Sequence, residues 1–461
     1  MLKIKFSTSY ILILSLVIFS SCKNAEDSAE TALATAPVDQ GLSDEELLDI
    51  VQRQTLKYFW DYAEPNSGLG RERFHPDGHY PRNDAHVVTT GGSGFGLMAL
   101  VVGMERNFIA RDSVVNRLDK IANFLAGTPR FHGAWPHWIN GETGETQAFG
   151  AKDNGGDLVE TSFLAQGFLV VREYLKNGNA KEKAVAAKFD KLWQEIEWNW
   201  YTNNKNGLYW HWSPTYQWEM DFLIEGYNEC LITYFLAAAS RDHAISPEVY
   251  HEGWARSGGI TTKVEAYDLP LILKHNTGGN KGGPLFWAHY SYLGLDPRGL
   301  EDQYTNYWDL NKNHSRINYL YCQENPKDFD TYSEASWGLT ASYTRKEDGS
   351  TGYAAHSPDD DRGVVSPTAA VSSLPYTPEE SMRAIRYFYE DQHDLLWGPA
   401  GFYDAYSLEG EPWVAKQYLA IDQGPQVVMI ENYRSGLIWD LFMKAPEVRQ
   451  AIKKLGFTYE K

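Results

Sequence analysis

Six stretches of this chain are apolar on nearly every side and rich in small residues: 92–106, 157–175, 225–240, 333–343, 366–374 and 423–443. A helix that is apolar all round has no face that suits water, so it must be buried. Other segments, at 43–62, 114–125, 180–200 and 378–391, carry a one-sided apolar period of 3.6 residues, which suits helices that cover a core rather than fill it. The first opens with Ser43-Asp44-Glu45-Glu46, a capping box ahead of Leu47, Leu48, Ile50 and Val51. Buried helices alternating with amphipathic ones predict an all-α fold, an (α/α)6 toroid of six inner and six outer helices. About 420 residues over twelve helices leaves roughly 35 for each helix with its loop, which is ample. Residues 241–330 break the rhythm. Their turn signals, Ser257-Gly258-Gly259, Thr277-Gly278-Gly279 and Gly282-Gly283-Pro284, predict long ordered loops of the kind that carry function.

The N-terminus reads differently. Lys3 and Lys5 precede an apolar run, Tyr10 to Phe19, and then Ser20-Ser21-Cys22. A basic start, a short apolar core and small residues before a cleavage point make a secretory signal. A Cys directly after them has the form of a bacterial lipobox, with acylation of Cys22 and attachment to a membrane. A plain signal peptide with a chance Cys is the alternative. Residues 23–42 are rich in Ala, Ser, Thr and acidic residues and have little to bury, as a tether does. The expected organisation is a signal at 1–21, an acylated Cys and tether at 22–42, and one large domain at 43–461. Such a protein would sit in the bacterial cell envelope, in the periplasm or on the outer-membrane surface.

Charge narrows the partners. With 61 Asp and Glu against 42 Lys and Arg, the net charge is −19, the wrong sign for nucleic-acid phosphates. A neutral substrate is easier to reconcile with it than a polyanion. Cys230 and Cys322 could pair in an oxidising envelope, but Cys230 falls inside an apolar helical stretch, where a buried thiol is the expectation. Trp and Tyr recur in polar, Gly-rich loops: Trp135-Pro136-His137-Trp138, Tyr209-Trp210-His211-Trp212 and Trp218. Flat rings with a polar edge suit sugar faces bordered by hydroxyls.

Glycoside hydrolysis needs a proton donor and a second carboxylate, so acidic residues heading into apolar segments are the candidates. Asp153, Asp157 and Glu160 are spaced four and three apart and fall on one side of a helix start. Helix capping accounts for Asp157; it does not account for Glu160. Glu219, Asp221, Glu225 and Glu229 form a second group, with Glu225 and Glu229 on one helix face and Glu229 leading into Leu231-Ile232-Thr233-Tyr234-Phe235-Leu236. Burial there would raise the carboxyl pKa, as a general acid requires; pairing with an Arg is the structural alternative. Asp422, in Ile421-Asp422-Gln423-Gly424, either caps an apolar helix or works. Glu431 pairs naturally with Arg434. No GxSxG elbow or HExxH metal motif is present, so neither a metal nor a cofactor is expected. Gly91-Gly92-Ser93-Gly94-Phe95-Gly96 follows no predicted strand and reads as close helix packing rather than a dinucleotide loop. Asp359-Asp360-Asp361 reads as an exposed charge run.

Several motifs occur in order along the chain: Gly226-Tyr227-Asn228-Glu229, Gly283-Pro284-Leu285-Phe286, Leu295-Asp296-Pro297-Arg298-Gly299, Trp337-Gly338-Leu339-Thr340-Ala341-Ser342, Gly352-Tyr353, Ser366-Pro367-Thr368-Ala369-Ala370 and Ile421-Asp422-Gln423-Gly424. On these residues the chain resembles the glucoamylase-like (α/α)6 glycoside hydrolases, and with Asp153, Asp157 and Glu160 it is most similar to glycoside hydrolase family 144. That resemblance implies β-1,2-glucan as substrate, inversion at the anomeric carbon and no metal. It implies Glu229 as general acid, Asp422 as general base, and a sugar cleft lined by Asp153, Asp157 and Glu160. Glu225, Trp212, Trp218 and Trp337 join the expected substrate-binding set. The expected activity is endo-acting; an exo enzyme releasing sophorose, another (α/α)6 carbohydrate enzyme, and a sugar-binding lipoprotein without activity are the rivals.

Overall fold

The order of buried and half-buried helices closes the chain into a ring. The computed structural model describes residues 41–460 apart from Thr277 and Glu347; the expected signal, Cys22 and nearly all of the tether lie outside the described residues. Helix α1 (Asp44–Trp60) starts at the capping box, where the Glu46 carboxylate accepts the Ser43 N–H at 2.9 Å. Then α2 (Thr90–Glu105), α4 (Leu158–Leu175) and α6 (Leu231–Ala239) are buried on almost every side. They alternate with one-sided α3 (Arg111–Gly127), α5 (Ala180–Gln194) and the turns Val249–Trp254. The second half continues the alternation. Tight helical turns at Leu285–Ala288 and Tyr290–Tyr292 lie inside and α7 (Tyr307–Glu324) outside; α8 (Pro367–Ser372) is inside and α9 (Pro378–Arg386) outside. After the short α10 (His393–Leu396) come inner α11 (Ala420–Arg434), then α12 (Leu437–Lys444) and α13 (Pro446–Lys454). Helix α1 covers α11 and α2, completing the outer layer.

Hydrogen bonds between the first turns of neighbouring inner segments show that these run parallel. Gly91 of α2 donates to Glu160 of α4, Ser162 of α4 meets Thr233 of α6, and Thr368 of α8 donates to the Asp422 carbonyl of α11. The Ile232 N–H donates to Ser291, which ties α6 to the 290–292 turn. This is the expected (α/α)6 toroid.

Small residues set its tightness. A Cβ on Gly94 of α2 would lie 2.2 Å from the Phe163 carbonyl oxygen of α4, and one on Gly167 would lie 2.5 Å from the Gly94 carbonyl oxygen. The small-residue reading of 91–96 therefore holds, although a short strand, Val87–Thr89, does precede it.

Five expectations are corrected. The fourth inner element is 285–292, not 333–343: Gly338 has φ +130°, and the chain runs on into the strand Ala341–Arg345, paired with Thr351–Ala355. Helix α7 was hidden because its buried face mixes Leu310 and Ile317 with Asn311, His314 and Asn318. The stretch at 225–240 is helical only from Leu231, so Cys230 stands just before the helix, and both it and Cys322 are buried free thiols. Glu431 pairs with Arg106 at 2.7 Å, while Arg434 reaches Glu45 and Asp49. Asp361 is not exposed: it is buried and accepts the Tyr321 and Tyr332 hydroxyls.

Gly94→Ala is expected to destabilise the protein by about 2–3 kcal/mol, because the obstacle is backbone and not a side chain that can turn away. Gly127→Ala, where an added Cβ meets nothing within 4 Å, should stay within about 0.5 kcal/mol. Urea unfolding of the two variants beside the parent checks this contrast.

Candidate active site

Parallel inner helices bring their N-terminal turns to one end of the toroid, and the acidic candidates come with them. Asp157 is the N-cap of α4: its Oδ1 accepts the Glu160 N–H at 2.9 Å. Capping is thus real, but it is not all that Asp157 does. Its other oxygen accepts the indole N–H of Trp210 at 3.0 Å and faces Nδ1 of His137 at 2.8 Å. Glu160, in the first turn of α4, accepts the Gly91 N–H at 2.8 Å and the Thr89 hydroxyl at 3.2 Å. Asp153 precedes the helix; its Oδ2 is 3.8 Å from His137, and its Oδ1 is 3.2 Å from Nε2 of His211. That nitrogen accepts the Gly155 N–H, so His211 is neutral on this side, and burial holds its pKa down.

Three buried carboxyls around one imidazole shift one another. Burial alone would lower the His137 pKa, but Glu160, Asp157 and Asp153 outweigh it and raise it to about 9. Burial and Asp157 push Asp153 up to about 7 against the pull of His137. Burial also raises Glu160, with His137, Gly91 and Thr89 opposing the rise. Among the described residues, His137, Asp153 and Asp157 have ligand atoms within 4.8 Å of one another, the spacing of a possible metal group. The His137 imidazolium lies among these carboxyls and offsets part of their charge.

Glu229 adjoins this cluster. It sits in the turn immediately before α6 and keeps partial access to solvent. The segment is pinned from both sides: Ser291 donates to the Glu229 carbonyl, and the Asn276 N–H donates to Tyr227. Burial pushes the Glu229 carboxyl up to about 7, with Glu160 and Asp157 adding to the rise and a backbone N–H opposing it. Asp422 is the third residue of α11 rather than its cap, and is 2% exposed. Burial raises its pKa well above the carboxylate range, and Asp404 raises it further. Burial raises the Tyr290 phenol, and the charges of Asp422, Glu229 and Glu160 raise it further.

The remaining candidates divide. Glu225 is not on a helix face with Glu229; it follows the strand Leu223–Ile224 and pairs with Arg256 at 2.9 Å, the structural alternative for that group. Trp337 is no sugar platform: it is wholly buried in the core, its indole N–H donating to the Glu380 carbonyl. Trp212 follows His211 in an extended strand, so its ring points away from the face that holds Asp153. It packs with His132 and Trp200, and Trp218 packs with Trp200 and Tyr209. The aromatics that do border the carboxyls are Phe149, stacked on His137 at 4.0 Å, and Phe222, stacked on Trp210 at 5.1 Å; both are exposed. Sequence reading missed these two, and it missed Asp404, His137 and His211 as site residues. A His beside each acidic group in the Trp-rich loops was the available signal. A surface hollow lies elsewhere, between Met443, Ile452, Phe457 and Tyr459, and holds no such carboxyl cluster.

Known proteins resemble this chain over most of its length. A family model described as "Putative glucoamylase" matches residues 221–446. The solved endo-beta-1,2-glucanase from Chitinophaga pinensis, in complex with sophorotriose and glucose, is 58% identical with TM-score 0.88, covering 91% of this chain and 99% of that one. The exo beta-1,2-glucooligosaccharide sophorohydrolase (non-reducing end) of Parabacteroides distasonis is 44% identical over 449 residues. The alignment takes in 94% of this chain, which spans only 60% of that relative's length. The endo-beta-1,2-glucanase from Talaromyces funiculosus, with sophorose, is 12% identical with TM-score 0.60 over 90% of this chain and 92% of that one, which is a likeness of fold.

A carboxyl whose folded pKa is raised makes the folded state bind more protons than the unfolded one. Stability is then lost as pH rises from the unfolded value towards about 7. Glu229→Gln removes that loss. The variant should melt higher than the parent at pH 8, with the gap shrinking towards pH 5, in thermal scans across that range.

Proposed function

We propose, from the premise that this chain belongs to the glucoamylase-like glycoside hydrolases of family 144, that it hydrolyses β-1,2-glucan with inversion, cutting within the polymer to release sophoro-oligosaccharides. The observation that carries the reading is the placing of Glu229, in the turn before α6, and buried Asp422, in the first turn of α11, at the end of the toroid where the parallel inner helices begin. Protonated Glu229 gives its proton to the leaving glycosidic oxygen, as a raised pKa allows at neutral pH. Asp422 takes a proton from the water that attacks the anomeric carbon from the opposite face. Asp153, Asp157 and Glu160 accept sugar hydroxyls, and exposed Phe149 and Phe222 offer flat apolar faces beside them.

The endo reading is supported by the 58% identity with the Chitinophaga pinensis enzyme, which this chain matches along nearly its whole length. The sophorohydrolase is less similar and extends well beyond the alignment. Products from long linear β-1,2-glucan decide between them: a ladder of sophoro-oligosaccharides at the first time points is expected, and sophorose alone would overturn endo action. NMR of the first-formed reducing ends should show the α-anomer. Glu229→Gln should lower kcat by about 10²-fold or more with KM little changed; a fully active variant would remove Glu229 as the acid.

The N-terminal reading stands as a further part of the proposal. Lys3 to Cys22 directs export and lipid attachment. In a bacterial host the full chain should incorporate labelled palmitate and partition with membranes, and Cys22→Ser should do neither.

A further inference from the structure

The reaction above leaves one buried carboxyl of the site without a task. Asp404 is 3% exposed and stands just before the strand Ala405–Ser407. Its Oδ2 accepts the Tyr343 N–H at 2.7 Å, and its carbonyl accepts the Ser366 hydroxyl at 2.6 Å. Two residues further on, Thr368 holds the Asp422 carbonyl at 2.8 Å. The start of α8 therefore grips both aspartates. Oδ1 of Asp404 and Oδ2 of Asp422 are both buried and receive no hydrogen bond from any donor, and the two side chains lie within hydrogen-bonding reach of each other. Two carboxylate oxygens are both acceptors, so they satisfy each other only when one carries a proton. Leaving both bare would put two like charges in a buried site, which is far costlier than sharing one proton.

We propose that Asp404 is a positioning residue that shares a single proton with Asp422 and receives it in full when Asp422 takes the proton of the attacking water. This rests on Asp422 being the base. At rest the pair carries one negative charge. Asp404 is the better home for it, with the Tyr343 N–H and the Arg73 charge favouring the anion there, and Glu72 opposing them. The shared proton then lies on Oδ2 of Asp422, hydrogen-bonded to Asp404. In the reaction the water O–H breaks as its oxygen bonds to the anomeric carbon. The released proton joins Oδ1 of Asp422, and the proton on Oδ2 crosses to Asp404. The glycosidic C–O bond breaks as its oxygen takes the proton of Glu229. The dyad ends neutral and Glu229 ends as the anion; one proton passed back through solvent restores both. The other groups around the pair are the Tyr290, Tyr343 and Tyr353 phenols, shifted upward and so neutral during the reaction, and Glu72, which is paired with Arg73.

Asp404→Asn keeps an acceptor for the Tyr343 N–H and offers Asp422 a fixed donor, but it cannot take the proton. It should lower kcat by about 10–10²-fold with KM within about twofold. It should also move the acidic limb of the kcat/KM profile up by about one pH unit or more, because the single negative charge must then sit on Asp422, away from the Tyr343 N–H and the Arg73 charge that favour it on Asp404. The alkaline limb, set by Glu229, should stay. Wild-type kcat with an unmoved acidic limb would overturn the shared-proton role. Asp422→Asn is measured beside it: if that variant keeps full activity, the base assignment itself fails, which is a separate outcome. Should Asp404→Asn not fold, neutron diffraction of wild-type crystals at neutral pD decides the matter. One deuteron between Asp404 and Asp422 is expected; none there overturns the proposal.

Discussion

The close approach of α2 and α4 at Gly94 and Gly167 sets the depth at which everything else sits. With backbone against backbone there, the first turns of the two helices are level, and the Gly91 N–H meets Glu160. The same levelling continues round the ring through Ser162 with Thr233 and Thr368 with Asp422. A toroid of parallel inner helices therefore collects helix N-termini at one end, and the carboxyls that favour helix starts are collected with them. Sequence positions from 153 to 422 become neighbours for a geometric reason, not through any one long loop.

Helix N-termini ought to favour the charged form of these groups. Alignment with a helix dipole contributes about 0.3–1 kcal/mol, less than one pKa unit. Glu229 is nevertheless raised to about 7 from an ordinary value of 4.5. Burial and the neighbouring charges of Glu160 and Asp157 outweigh any such help, and the same sign appears at Asp153, Glu160 and Asp422. The only nearby cation among these groups is His137, which is itself held protonated by them. The fold thus keeps protons at a place where an unconstrained cluster of carboxylates would shed them.

How much of this was legible follows from what each signal measures. Apolar runs at 92–106 and 157–175 located α2 and α4 to within a residue or two, because a wholly buried helix writes its burial into every position. Helix α7 was lost because Asn311, His314 and Asn318 face inward and bond to neighbours, so polarity there does not mean exposure. The 333–343 segment misled for the opposite reason: Trp337 and Leu339 are core residues reached by extended chain. At the site, Glu229, Asp422 and the 153–160 cluster were found by asking which acids head into apolar sequence. Asp404 escaped that question. It lies between short strands, Gly401–Phe402 and Ala405–Ser407, and only the fold sets it against Asp422. Trp337 was over-read, since a tryptophan carries the same letter whether it stacks on sugar or sits in the core.

The partners of buried carboxyls elsewhere show what sets this end of the molecule apart. Glu447 is held by Arg172 and Arg241, and those guanidiniums outweigh burial to bring its pKa down to about 2. Glu431 has Arg106, and Asp296 has Arg298. Each pair fastens helix to helix or holds a loop together. Asp422 is as enclosed as these and Glu229 is only partly open to solvent, but among the described residues neither has an ion-pair partner. An arginine beside either would stabilise the fold, because a buried charge left unpaired is expensive. It would also fix the carboxylate as an anion and end its use as a proton carrier. The chain supplies arginine to the carboxyls that fasten its helices and, among the described residues, none to Glu229 or Asp422; that difference in partner, more than burial itself, supports the roles proposed for these two.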